Sequence, residues 1–174
     1  MMKKIVTIGP ESTGKSTLCE QLAARYKTQW VPEYAREYLL TNGKAYTYEN
    51  LLDIAKGQLA LEDEISHQLV IHHSPLFIDT DMYVMKVWCE FVFGKCHQWI
   101  LDRITSRKYD LYLLCNTDLP WVKDELREYP DLETREKLFR IYKDILINQN
   151  TPWIEIRGNN EERLQIAIEA VTKL

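Results

Sequence analysis

GPESTGKST, residues 9–17, follows the apolar stretch IVTI of residues 5–8 and matches the spacing Gly-x4-Gly-Lys-Ser. With glycine near 7% of average usage, four fixed positions meet by chance only about once in 10⁴ to 10⁵ starting points. A strand before the match and a helix after it supply the context of a phosphate-binding loop. Gly9 and Gly14 let the backbone turn without a Cβ in the way, so that successive amide N–H groups face inward as an anion nest. The helix that follows adds the positive end of its dipole. Lys15 adds a full charge that would bridge the β- and γ-phosphates, Ser16 offers a hydroxyl to Mg²⁺, and Thr17 reaches the α-phosphate. Gly9, Glu11, Ser12, Thr13, Gly14, Lys15, Ser16 and Thr17 are therefore the expected nucleotide-binding positions, with ATP and Mg²⁺ as the expected ligands.

Working outward, apolar strands alternate with helical stretches, which is the signature of an α/β fold. Strands are expected at residues 4–8, 28–31, 76–79, 111–115 and 153–156, each short and apolar enough to be covered on both faces. Helices are expected at 15–27, 33–40, 49–72, 82–93, 98–107, 132–148 and 161–173. Right-handed crossovers then give a three-layer, doubly wound, five-stranded parallel sheet of the P-loop, nucleoside-kinase-like kind. Its ligand lies beyond the carboxyl ends of the strands.

The 174 residues, 45% hydrophobic, suit one domain spanning 1–174. Formal charge is −4 and basic runs are short, so nucleic acid and membrane surfaces are not the expected partners. Small molecules are, and a homo-oligomer is compatible with the sequence. No signal peptide or membrane span is apparent, and the expected location is the cytoplasm. The four cysteines lack C-x2-C pairing and read as buried thiols, and the four histidines form no ligand pattern.

Each strand tip then carries a candidate. After the second strand, VPEYAREY puts Glu33 over the loop as the general base for an acceptor hydroxyl, with Tyr34 and Arg36 nearby as substrate contacts. The alternative is a first-turn glutamate that only favours the helix dipole. After the third, FIDTD places Asp79 to order Mg²⁺ in the Walker B manner and Asp81 toward substrate hydroxyls, although an Asp here is also a common helix N-cap. Gln58 and Glu62 interrupt the apolar stripe of Leu51, Ile54, Ala55, Ile65 and Leu69, so both face inward. The amide of Gln58 suits a bound ring with one donor and one acceptor, or else neighbouring backbone. Residues 117–135 are polar and read as a lid, with Arg127 and Arg135 as candidates to stabilise charge in transfer. Asn159, at the turn after the last strand, is the candidate beside adenine. Of the aromatics, Tyr34 and Trp88 are near enough to the cleft to stack on a substrate ring.

GPESTGKSTL, VPEYARE, FIDTD and WVKDELR, in that order, resemble the nicotinamide riboside kinase domain of the NadR family of bacterial NAD-biosynthesis regulators, over nearly the whole chain. The resemblance implies ATP-dependent phosphorylation of the ribose 5′-hydroxyl of nicotinamide riboside. VPE and QLA, at residues 58–60, are also similar to deoxynucleoside kinases, in which the matching glutamate deprotonates the 5′-hydroxyl and the matching glutamine reads the base. Two features depart from the pattern. The chain opens on the strand of its own phosphate loop, so repression and the adenylyl-transfer step of the regulators are not expected. Pro32 stands where the riboside kinases carry an aromatic residue, which keeps another nucleoside or a vitamin alcohol as alternative acceptors; a regulatory P-loop ATPase, which would share the phosphate loop and Asp79 but position water, is the competing class. Neither a GTPase Asp-x-x-Gly turn nor an Asn-Lys-x-Asp base reader is present, since DTDM and NTDL stand in those places.

Overall fold

The computed structural model describes residues 2–69 and 74–174. Five parallel strands, β1 (Lys4–Ile8), β2 (Trp30–Val31), β3 (Leu76–Asp79), β4 (Leu111–Cys115) and β5 (Trp153–Ile156), form one sheet in the order β2-β3-β1-β4-β5. The helices are α1 (Lys15–Tyr26), α2 (Tyr34–Asn42), α3 (Tyr48–Leu69), α4 (Met82–Phe93), α5 (Gln98–Ser106), α6 (Leu132–Ile147) and α7 (Asn160–Thr172). The expected three-layer α/β fold is the one observed.

Side chains of one strand alternate between the two faces. Ile5, Phe77, Leu111 and Leu113 pack with Leu18 and Leu22 of α1 and Ala167 and Val171 of α7. Val6, Ile8, Ile78 and Leu114 pack the other way, with Val84 and Val87 of α4 and Leu138 and Tyr142 of α6. Both faces are dry, which is why these strands carry continuous apolar runs instead of alternation. A third cluster joins Leu39 of α2 to Leu51, Ile54 and Leu59 of α3 and to Met85 of α4.

Differences from the sequence reading lie at the ends of elements. Strand β2 keeps two residues of the expected four because it is an edge that pairs only through Trp30↔Phe77 and Val31↔Ile78. Helix α1 stops before Lys27, which adopts a left-handed cap at φ 52°. Helix α2 runs from Tyr34 to Asn42, with Glu33 as its N-cap and Gly43 ending it at φ 100°. The expected end of the third helix, residues 70–72, lies outside the described residues, as do His72 and His73. Register sets Thr7 beside Asp79 and Ile8 beside Leu114. The carboxyl ends of β1, β3 and β4 therefore share one edge, and the loop after β1 lies at its centre. No helix among the described residues is long and apolar enough to cross a membrane.

Candidate active site

A cavity of about 550 Å³ opens at that edge, lined by residues 9–17, by Glu33 and Arg36, by Trp88 and Phe91 of α4, and by the segment 124–129. The loop has the geometry of a phosphate cradle. Gly9 sits at φ +145°, where a Cβ would come within 2.7 Å of the Cys115 carbonyl oxygen, and Gly14 is left-handed at φ +77°. Neither position takes a side chain without strain. The Lys15 ammonium donates to the Pro10 carbonyl at 2.8 Å, folded onto the loop it would leave to meet a phosphate.

The Ser16 hydroxyl donates to Oδ2 of Asp79. Two hard oxygens, one from the first turn of α1 and one from the tip of β3, suit Mg²⁺, which keeps several waters and takes few protein ligands. Among the described residues there is no cluster of three or more His, Cys, Asp or Glu that could hold a metal ion. Asp79 is fully buried, and burial pushes its carboxyl above the usual range, opposed by Lys15 and Ser16. Glu33 lines the same cavity, and its carboxyl is raised first by burial and then by the charge of Asp79. No described residue donates a hydrogen bond to it. A more basic, unengaged carboxylate facing the phosphate loop is equipped to accept a proton.

Three expected substrate contacts turn away from the cavity. Both ends of the Gln58 amide are taken by backbone: Oε1 accepts from the Tyr34 N–H at 2.8 Å, and Nε2 donates to the carbonyls of Pro32 at 3.2 Å and Asp79 at 3.4 Å. Gln58 therefore ties the tips of β2 and β3 together and sets the turn that carries Glu33. A ring reader needs an amide that faces its ligand, and this one is 1% exposed with both its hydrogens and one oxygen lone pair taken by backbone. Asp81 is the N-cap of α4, accepting from the N–H groups of Tyr83 and Val84 and from the Tyr112 hydroxyl at 2.8 Å. Thr80 between the two acids is left-handed at φ 81°, a strained setting for a β-branched residue that sends Asp79 to the loop and Asp81 to the helix. Tyr34 lays its ring on Gly57, where a Cβ would come within 2.0 Å of it. The close approach that Gly57 permits is thus used by Tyr34. Of the two aromatics expected near the cleft, Trp88 lines it.

The segment expected to act as a lid is irregular chain between β4 and α6; its residues 124–129 line the cavity, and it is held from two sides. On the phosphate side, Glu11 accepts from the Trp121 indole at 3.2 Å and from the N–H groups of Glu128 at 2.9 Å and Tyr129 at 2.6 Å. On the other, Arg36 chelates Asp124 at 3.1 and 3.0 Å, Lys44 meets Glu125 at 3.1 Å, and Tyr46 donates to Glu128 at 3.0 Å. Arg127 lines the cavity and donates to the Val122 carbonyl. Arg135 is 3% exposed and reaches the carbonyls of Ser12 at 3.4 Å and Leu119 at 3.3 Å, while its Nε is buried without a partner. Burial holds its guanidinium below the usual arginine range, and Glu11 opposes that shift.

Asn159 does not line the main cavity. Its side chain accepts from the N–H groups of Glu161 and Glu162, and its own N–H donates to the Glu162 carboxylate at 2.8 Å, a complete capping box for α7. The residue that reaches the loop from α7 is Arg163, which sequence reasoning missed. It donates to Thr13 O at 2.8 Å, Gly158 O at 2.8 Å and Asn116 O at 3.0 Å, and pairs with Asp118. It shares the inward stripe of α7 with Ala167 and Val171, four and eight residues on, and is 3% exposed; that helical spacing was the signal available in the sequence.

Comparison with known proteins agrees with this architecture. The Escherichia coli trifunctional NAD biosynthesis/regulator protein NadR is 25% identical over 178 residues, 99% of this chain and 43% of that protein, so the chain spans less than half its relative's length. A crystal structure of NadR protein in complex with NR superposes with a TM-score of 0.76 at 21% identity, covering 99% of this chain and 50% of that one. Thymidylate kinase from Ehrlichia chaffeensis gives 0.67 at 15% identity, covering 98% of both chains. These structural likenesses establish the fold. A family model described as an AAA domain, AAA_28, matches residues 4–163, and the chain belongs to that P-loop family.

Proposed function

We propose that the chain is an ATP-dependent kinase for the 5′-hydroxyl of a riboside, nicotinamide riboside foremost, giving nicotinamide mononucleotide. The observation that carries this reading is that the phosphate loop and the unengaged Glu33 carboxylate line the same cavity. A water-activating ATPase has no need of the further space beyond Glu33, walled by Trp88, Phe91 and Tyr129.

The residues divide the work as follows. Loop N–H groups and Lys15 hold the β- and γ-phosphates, and Ser16 with Asp79 would hold Mg²⁺, which supplies charge neutralisation on the phosphate oxygens when bound. Glu33 takes the proton of the acceptor hydroxyl as that oxygen bonds to the γ-phosphorus and the bond to the β–γ bridging oxygen breaks. Arg127 and Arg135 are the cations on hand for charge in transfer.

The acceptor side favours an alcohol over a phosphate. A nucleoside monophosphate acceptor calls for free cations, yet Arg36 and Lys44 are each paired with a lid carboxylate. Glu33, Asp124, Glu125 and Glu128 against Arg36, Lys44 and Arg127 leave an acidic balance there, which suits a neutral or cationic ring. Pro32 lines the cavity where riboside kinases carry an aromatic residue, and this observation supports a second reading in which the acceptor is another nucleoside or a vitamin alcohol. Incubation with Mg·ATP and a panel of ribosides and vitamin alcohols, with products scored by mass, tests both. The expected product is nicotinamide mononucleotide; ATP hydrolysis with no phosphorylated acceptor overturns the kinase reading.

A further inference from the structure

Nothing in phosphate binding asks for a carboxylate at Glu11, inside a loop built to gather anions. Such a charge opposes the ligand unless it is committed elsewhere. Here it is committed to three donors of the lid: the Trp121 indole, the Glu128 N–H and the Tyr129 N–H. Beside it the Ser12 hydroxyl accepts from the Val122 N–H at 2.9 Å. Both ends of the segment 121–129 are thus fastened to the phosphate loop. Beside the Tyr46 hydroxyl bond to Glu128, the anchors on the acceptor wall are ion pairs between side chains exposed by up to 57%, which hold weakly and exchange easily. Hydrogen bonds from backbone N–H to a carboxylate are charge-assisted and fixed in direction. Two consecutive N–H groups converge on one carboxylate, so substitution of the side chains at 128 and 129 leaves the anchor in place.

We infer that Glu11 is a positioning residue of the transfer reaction: its carboxylate docks the lid onto the phosphate loop and so keeps water from the γ-phosphate while the acceptor is held. The docking itself stands on the hydrogen bonds; its consequence for transfer rests on the kinase reading above. Glutamine at this position presents an NH₂ where one of the two accepting oxygens is needed, with little change of shape.

The test compares wild type with Glu11→Gln in two measurements. Amide hydrogen exchange at single-residue resolution, on the protein without nucleotide, should be about 10-fold or more faster at Glu128 and Tyr129 in the variant. With Mg·ATP and nicotinamide riboside, the ratio of ATP hydrolysed to riboside phosphorylated should rise several-fold. Unchanged exchange at those two amides overturns the docking, and a wild-type ratio despite fast exchange overturns its role in transfer. Should wild type phosphorylate no riboside, the kinase reading fails, the exchange result still decides the docking, and the hydrolysis rate of the variant, expected to exceed wild type, decides the exclusion of water. Trp121→Phe, which removes only the indole donor, serves if Glu11→Gln does not fold; it should raise the hydrolysis ratio in the same direction, and an unchanged ratio overturns the inference.

Discussion

Glu33 and Lys15 line the same cavity, and their removal should separate two functions. Glu33→Gln keeps shape and cavity but cannot accept a proton at neutral pH, so phosphoryl transfer should fall by ~10² or more while nucleotide binding holds. Paired measurement of nucleotide affinity and turnover checks this, and unchanged transfer would remove Glu33 from the chemistry. Lys15→Ala should weaken both, because that ammonium serves ground state and transfer alike. At this scale legibility was uneven. The loop was readable because each letter answers a local backbone or charge demand. Gln58, Asp81 and Tyr34 were not, since a buried polar group or a ring is claimed by the nearest compatible partner, and those partners are the Pro32 carbonyl, the α4 N-terminus and Gly57, which pattern alone does not rank.

Between elements, two contacts hold the site's walls in place. At Gly57 α3 receives the Tyr34 ring so closely that an added methyl would overlap it. Gly57→Ala must push α2 outward and take Glu33 with it, so overpacking should cost roughly 1–3 kcal/mol in denaturant unfolding and lower transfer as well. Arg163 fastens α7 to the back of the phosphate loop through three carbonyls and Asp118. Arg163→Ala leaves those carbonyls unpaired, an expected loss of roughly 2–4 kcal/mol with weaker nucleotide binding. Arg163→Lys should recover little, because an ammonium cannot span a fork-shaped set of acceptors; full recovery by lysine would reduce the contact to simple charge. Strands β1, β3, β4 and β5 were readable to the residue because each is a short apolar run closed by Gly, Asp, Asn or Arg. The clasp between Glu11 and residues 128–129 was hidden for the opposite reason: its donors are backbone N–H groups, identical for nearly every residue type and more than a hundred positions away.

Across the molecule, the fold gathers acids at one edge of the sheet and buries them, and that arrangement has a sign. Burial raises the carboxyls of Glu33 and Asp79, and it raises Asp81 to about 6, with its hydrogen bonds from Tyr112, Val84 and Tyr83 opposing. A group whose folded value lies above its unfolded value stabilises the fold fully below the unfolded value, and that stability is lost as pH rises through the folded one. For Asp81 the window runs from about 4 to about 6. The surface carboxyls held low by partners, such as Asp63 beside Arg107 and Asp124 beside Arg36, act in the opposite direction, but only as pH falls toward their own lower range. Between pH 5 and 7 the Asp81 contribution is isolated by substitution. Asn is also a good N-cap and can keep the bonds from Tyr83 and Val84, so Asp81→Asn should fold. Wild type should lose about 1–1.5 kcal/mol relative to Asp81→Asn on going from pH 5 to pH 7. Urea unfolding at both values, with chelator and without nucleotide, reads that double difference directly. A value of zero would mean that Asp81 is ionised throughout, with Tyr112 and the helix N-terminus outweighing its burial.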